Sequence, residues 1–218
     1  MPIILGSRSP RRRELLGSIV GAESLHVRPP LDSDEQGFAG LHDAESIQER
    51  LRQIVQTKLD DVQQQVQADA SLATQNTWCV VADTIVVAQD PQAGTVVLGQ
   101  PDASDWQGQV RDWMLRLYSG GTHEVWTGFQ LAGGGKSVMS VVRTVVRFCQ
   151  ITPDMADWYL STGESVGKAG GYAVQGAAAA FVTAIDGSLT NIIGLPVLEV
   201  THALQSLGCR VPATAGSN

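Results

Sequence analysis

The feature that most constrains this chain is one run, Trp78-Cys79-Val80-Val81-Ala82-Asp83-Thr84-Ile85-Val86-Val87-Ala88. Its β-branched content predicts a central strand, and a central strand obliges the rest of the chain to supply a sheet around it. Asp83 sits inside this run, beside Thr84. A carboxylate in such a strand is costly unless it meets a metal, a cation or a hydrogen-bond donor. Asp83 is therefore a candidate functional residue; the plainer alternative is an aspartate on an edge strand that faces water.

The neighbouring patterns fill in the sheet. Pro2 to Leu5 reads as a short buried strand and Ser24 to Leu31 as an extended segment. Asp90 to Gly94 reads as a turn, with Thr95 to Leu98 returning as a hairpin. Val125 to Ala132 and Ser137 to Phe148 read as two strands joined by Gly133-Gly134-Gly135. Ala178 to Ile185 and Thr190 to Ile193 are expected to form a further hairpin around Asp186-Gly187-Ser188. Helices are expected from Pro10 to near Gly17, from Asp43 to Gln67, over Asp105 to Tyr118, from Pro153 to Thr162, and from Pro196 to Leu207. Asp32 to Gly40 and Ala68 to Thr77 read as loops. Strands alternate with helices, yet hairpins intrude, so the expected class is α/β with a mixed sheet. Residues 1–211 are expected to form one domain, and 212–218 a disordered tail.

A second anomaly follows the first strand. Ser9 reads as an N-cap and Pro10 as the first helical residue. The helix then opens with Arg11, Arg12 and Arg13, at the end of the macrodipole where cations are disfavoured. Free backbone N–H groups, the dipole and these guanidinium groups would together favour an anion such as a phosphate chain. The alternative is a solvated basic turn. A net charge of −7 argues against bulk affinity for nucleic acid, so the arginines read as a local anion site. Cys79, Cys149 and Cys209 are scattered without metal-ligand spacing, which suggests free thiols in a reducing compartment. No signal-peptide stretch opens the chain and charged residues interrupt the long apolar runs, so a cytoplasmic protein without membrane contact is expected.

A third anomaly is the glycine-rich segment from Gly163 to Gly176, which carries Glu164, Lys168 and Gln175. Glycines permit close backbone approach and unusual dihedrals. It is not a Walker A loop, because the lysine precedes the glycines and no Lys-Ser or Lys-Thr pair follows them. Read alone, it is more simply a structural turn with Glu164 and Lys168 as a surface pair. Asp102, Asp105, His123, Glu124, Asp154 and Asp157 are weaker candidates, and most read as surface or capping residues. The histidines show no metal spacing, and neither a Gly-x-Ser-x-Gly elbow nor a dinucleotide fingerprint is present.

Taken in order, these pieces resemble a known family. Ser7-Arg8-Ser9-Pro10-Arg11-Arg12-Arg13-Glu14-Leu15-Leu16 resembles the opening of the Maf family of nucleoside triphosphate pyrophosphatases. Ala82-Asp83-Thr84-Ile85-Val86, Leu98-Gly99-Gln100-Pro101 and Ser119-Gly120-Gly121-Thr122-His123-Glu124-Val125-Trp126-Thr127-Gly128 are similar to its next blocks. Lys168-Ala169-Gly170-Gly171-Tyr172-Ala173-Val174-Gln175-Gly176 and Asn191-Ile192-Ile193-Gly194-Leu195-Pro196 complete the match.

The resemblance implies a mixed, twisted α/β sheet flanked by helices with a deep cleft, as in inosine triphosphate pyrophosphatases. It implies hydrolysis of a nucleoside triphosphate to the monophosphate and pyrophosphate, with Mg²⁺ or Mn²⁺ as cofactor. By position, Asp83 would be the general base, and Asp83 with Asp32 would hold the metal. Ser7, Ser9, Arg11, Arg12, Lys58, Thr84, Lys168 and Gln175 would bind substrate. Arg11, Thr84 and Gln175 match the branch that acts on dTTP and UTP; a sister branch acting on 7-methyl-GTP carries other residues there. The resemblance also implies a homodimer and removal of unwanted or modified nucleotides. The chemistry agrees with the residue types: a carboxylate can orient and deprotonate water, cations and metal offset charge on the triphosphate, and an amide can both donate to and accept from an imide edge.

Two departures stand out. Gln100 replaces the family lysine after the Asp83 strand, so one phosphate cation is missing unless Lys136 or another residue compensates. Ser33 stands where a glutamate is usual, with Asp34 or Glu35 as substitutes. The loss at Gln100 keeps open a second reading, a nucleotide-binding regulator of cell division with weak or no catalysis.

Overall fold

The computed structural model describes residues 2–31, 37–74, 76–209 and 211. The expected metal ligand Asp32, its neighbours Ser33, Asp34 and Glu35, and the expected tail lie outside the described residues.

The Trp78 run is the axis of the molecule. It forms β3 (Trp78–Asp90), and its neighbour on one edge is β5 (Thr122–Gly133), antiparallel from Trp78 to Val87. The opposite edge is shared. β1 (Ile3–Gly6) pairs in parallel with Trp78 to Val81, and β4 (Gly94–Leu98) pairs antiparallel with Val86 to Asp90. Between those two partners, Ala82, Asp83, Thr84 and Ile85 face no strand on that edge among the described residues. β2 (Leu25–Val27) extends the sheet in parallel beyond β1. β6 (Lys136–Phe148) and β7 (Val182–Asp186) extend it antiparallel beyond β5. The sheet is mixed, as hairpins alternating with helices require.

Because side chains alternate along a strand, β3 feeds cores on both faces. One face is covered by α2 (Ala44–Ala68), whose Val55, Leu59 and Val62 meet Cys79 and Val81. Its Ile47 and Leu51 meet Ile85 and Val87. On the other face, α1 (Pro10–Val20) and α6 (Val197–Ser206) bury Trp78, Val80 and Ala82 with Leu16, Val200 and Leu204. Further along that face, α3 (Trp106–Asp112), a π-helical turn (Trp113–Tyr118) and α4 (Pro153–Ser161) bury Val86 and Ala88 with Met114, Tyr118 and Tyr159. Both faces are thus interrupted at Asp83 and Thr84. Gly6 permits β1 to lie this close: a Cβ there would come within 2.6 Å of Val62 on α2 and of Val81 on β3.

Three expectations need correction. The first helix does not stop near Gly17 but runs to Val20, where Gly21 ends it at φ 83°. One interior glycine costs about 1 kcal/mol against alanine, and burial of Leu16 with packing of Ile19 and Val20 outweighs it. The expected hairpin around Gly187 is a strand followed by a helix, α5 (Leu189–Ile193); Ala177–Phe181 before the strand is a 3₁₀ turn. The Ser188 hydroxyl accepts from Asn191 N at 3.2 Å, so a capping serine starts a helix where a second strand was expected. His123 is no surface residue: it is 2 % exposed, beneath the π-helical turn.

Candidate active site

A cleft of about 760 Å³ opens at the break in the β3 edge. Ala82 to Ile85 line it, together with the residues from Gly6 to Arg12, Lys58 from α2, Gly99 and Gln100, residues 167–169 and 172–175, and the end of α5. β1 stops at Gly6, opposite Val81, and the chain leaves the edge through Ser7 to Ser9 into the N-terminus of α1. Ser9 caps that helix, accepting from Arg12 N at 3.4 Å, and Pro10 occupies its first turn.

Asp83 and Thr84 point to opposite faces of β3, and each meets a cation there. On the α2 face, Lys58 Nζ donates to Asp83 Oδ1 at 2.6 Å, with both side chains largely buried. Among the described residues Asp83 Oδ2 has no hydrogen-bond donor, so it is available to a ligand. On the α1 face, Arg12 donates from Nη2 to Thr84 Oγ1 at 3.0 Å, from Nη1 to Ser7 Oγ at 3.2 Å and from Nε to the Gly194 carbonyl at 2.8 Å. These bonds explain the arginine in the first turn of a helix. These three acceptors hold its head at the cleft wall, where a guanidinium can meet an anion. Arg11 also lines the cleft.

Lys168 reaches the same cleft from the glycine-rich segment. Its ammonium donates to the backbone carbonyl of Glu164 and, at 3.5 Å, to that of Val166. Burial lowers its pKa, the positive charge of Arg11 lowers it further, and Glu164 opposes both. The surface pair of Glu164 and Lys168 is therefore not formed: the Glu164 carboxylate turns away and accepts from Ala177 N at 2.7 Å. Gln175 lines the cleft as an exposed side chain, as does Gln100 beside Gly99. Lys136 does not compensate for Gln100. It pairs with Gly133 at the far end of the β5–β6 hairpin and is not among the lining residues.

The structure thus brings Ser7, Ser9, Arg11, Arg12, Lys58, Asp83, Thr84, Lys168 and Gln175 to one cleft. Sequence reasoning missed the residues that hold them. Thr127 Oγ1 lies 3.0 Å from Thr84 Oγ1 and donates to the Asn191 carbonyl. Asn191 is fully buried, and its Nδ2 donates to Val125 O at 2.9 Å and Thr144 Oγ1 at 3.0 Å. Those bonds fix α5, which presents the Gly194 carbonyl to Arg12. A buried asparagine reading across two strands has no local sequence signature.

Among the described residues, no group of three or more His, Cys, Asp or Glu is placed to hold a metal by itself. Asp83 is the carboxylate among the described lining residues. A hard cation that takes one carboxylate oxygen and completes its shell with phosphate oxygens and water fits this donor set.

Residues 2–207 match the family model described as Maf-like protein. A dTTP/UTP pyrophosphatase of Anaeromyxobacter dehalogenans is 36% identical over 215 residues, covering 96% of each chain. A protein of the same name from Brucella abortus is 36% identical over 216 residues, covering 99% of this chain and 96% of its own. Among solved structures, a nucleoside-triphosphatase / dITP/XTP pyrophosphatase of Mycobacterium abscessus aligns with 69% of this chain and 76% of its own, at 12% identity and a TM-score of 0.34, too low to argue from. The family match spans the strand, the capped arginine helix and the glycine-rich segment that meet in the cleft, and on that match the chain belongs to the Maf family.

Proposed function

We propose that this protein is a nucleoside triphosphate pyrophosphatase that converts dTTP and UTP, and modified pyrimidine nucleotides of the same shape, to the monophosphate and pyrophosphate. The observation that carries this reading is the convergence on one break in the sheet of Asp83 with Lys58 and of Thr84 with Arg12. Relatives that share about a third of its residues carry the name dTTP/UTP pyrophosphatase.

In this reading the triphosphate lies against the N-terminus of α1, where free N–H groups, Arg11, Arg12 and Lys168 offset its charge. Lys58 holds Asp83 by Oδ1 and leaves Oδ2 to orient a water and take its proton. The water oxygen bonds to the α-phosphorus. The bond from that phosphorus to the bridging oxygen breaks, and pyrophosphate leaves with its electron pair. A divalent cation, held by Asp83 and the phosphates, would supply further charge neutralisation. Gln175 donates to and accepts from the imide edge of uracil or thymine. Among the described residues no helix is long and apolar enough to cross a membrane, and we infer a cytoplasmic homodimer that acts on free nucleotides.

The test is a panel of UTP, dTTP, CTP, ATP, GTP and 7-methyl-GTP with Mg²⁺, Mn²⁺ or no metal, with both products measured. Pyrophosphate and monophosphate from UTP and dTTP, dependent on metal, are expected. Orthophosphate with a nucleoside diphosphate would place the attack at another phosphorus. Binding without any product would leave the regulator reading in its place.

A further inference from the structure

Behind the 168–176 segment lies a buried polar cluster that none of these steps uses. Tyr118, the last residue of the π-helical turn, is fully buried and donates to the Gly170 carbonyl at 2.9 Å. Tyr159 on α4 donates to the Gly171 carbonyl at 3.1 Å, and Glu164 Oε1 lies equally near. The Tyr172 hydroxyl lies 2.7 Å from His123 Nε2, and the Tyr118 ring packs on the imidazole with centroids 4.3 Å apart. His123 Nδ1 is buried without a hydrogen-bond partner among the described residues. Burial drives the three phenol pKa values up and that of His123 down to about 3, so these four rings stay uncharged through the neutral range.

The backbone it holds is unusual. Gly170 and Gly171 have φ of 66° and 69°, successive left-handed residues. A Cβ at Gly170 would come within 2.8 Å of the Tyr118 oxygen. Unheld, two adjacent glycines have more conformations open to them than any other pair. Here the phenols fix both carbonyls, and Gly170 N donates to Gly99 O at 2.9 Å. At the far end, the Glu164 carboxylate accepts from Ala177 N, and a Cβ at Gly176 would collide with it. Gln175 stands between these anchors with its side chain exposed to the cleft.

We propose that Tyr118 and Tyr159 are positioning residues for base selection: by clamping the Gly170 and Gly171 carbonyls they set where Gln175 meets the base. This rests on the dTTP/UTP pyrophosphatase reading. The phosphate side is anchored separately, through Arg12 and Lys58 and through Lys168, whose ammonium is held by the Glu164 and Val166 carbonyls ahead of the clamp, so loosening Gly170 to Gln175 costs contacts to the base and spares those to the phosphates. The apparent affinity then falls by the fraction of molecules in the competent conformation.

Tyr118→Phe and Tyr159→Phe remove the hydroxyl and keep the ring. Each variant is compared with the wild type by amide exchange over 168–176, by kcat and KM for UTP and CTP, and by inhibition with inorganic tripolyphosphate, which has no base. Faster exchange in the segment, KM for UTP raised roughly tenfold with kcat changed less, a narrowed UTP preference and unchanged tripolyphosphate inhibition are expected. Wild-type exchange in both variants overturns the proposal, as does equal weakening of UTP and tripolyphosphate, which is the signature of a general loss of structure. A wild type that turns over no nucleotide overturns the functional reading instead, and the exchange measurement still decides whether the phenols clamp the segment.

Discussion

The two walls of the cleft are held in opposite ways. On the wall made by β1, α1 and β3, functional side chains hold one another: Arg12 ties Ser7 to Thr84, with the Gly194 carbonyl as a third acceptor, and Lys58 ties Asp83. On the wall made by 168–176, buried hydroxyls hold backbone carbonyls, and Gln175, presented to the cleft beyond them, is exposed. In the first wall each functional group is part of the linkage, so changing one residue changes the chemistry and its neighbours together. In the second the support is separate from the group presented, so shape and chemistry can be altered independently.

The largest expected effect lies in the first wall. Asp83→Asn should keep the fold and lower turnover by roughly two to four powers of ten, the range for a lost general base. Near-normal turnover in a folded variant would make Asp83 a structural partner of Lys58 and erase the contrast. On the second wall, Gln175→Glu should weaken UTP and dTTP use by roughly ten- to a hundredfold, because a carboxylate accepts but cannot donate to the imide. Unchanged base preference across the panel would place the base elsewhere.

The support behind the second wall has its own signature. Burial lowers the pKa of His123 from 6.5 to about 3. The unfolded chain therefore takes up a proton below about pH 6.5 that the folded chain refuses. Stability should fall as pH falls through that window, by up to about 1.4 kcal/mol per pH unit from this group. Urea titrations at pH 7, 5 and 4 would measure the slope, and His123→Gln should flatten it by one proton. An unaltered slope would mean that the imidazole is not held neutral.

The smallest effect concerns the lip where the walls meet, at Gly99 and Gln100. Gln100→Lys should raise kcat/KM by roughly two- to fivefold at low salt, since a solvent-exposed charge contact is worth little. The gain should shrink as salt is added. No gain at any salt concentration would mean that Arg11, Arg12 and Lys168 already neutralise the triphosphate.

The same contrast decides what could be read from the sequence. Asp83 was visible because a charge in an apolar strand breaks a pattern, and Arg11 and Arg12 because cations at a helix N-terminus break another. Both anomalies are local. The clamp on the second wall is assembled from the π-helical turn, α4 and β5, and each tyrosine reads alone as ordinary core. His123 likewise read as a surface residue because its burial depends on Tyr118 and Phe148, which pack on it from other elements. α5 reads as a strand in the sequence for a similar reason. Its five residues are too short to show a period, and the buried Asn191 that fixes it reaches β5 and β6.

The break in the edge of β3 also sets where this protein can tolerate insertions. The cleft is bounded by two ladders, one ending at the Gly6–Val81 pair and the other beginning at the Val86–Leu98 pair. Residues added between Asp90 and Gly94 lengthen the tip of the β3–β4 hairpin and leave both boundaries, and Gln100 at the cleft, where they are. A single residue added within β1 is a different matter. It would slide the strand along β3, turn Ile3 and Leu5 from one core toward the other, and carry the start of α1 off the gap. Length can drift at the hairpin tip and is pinned at the first strand.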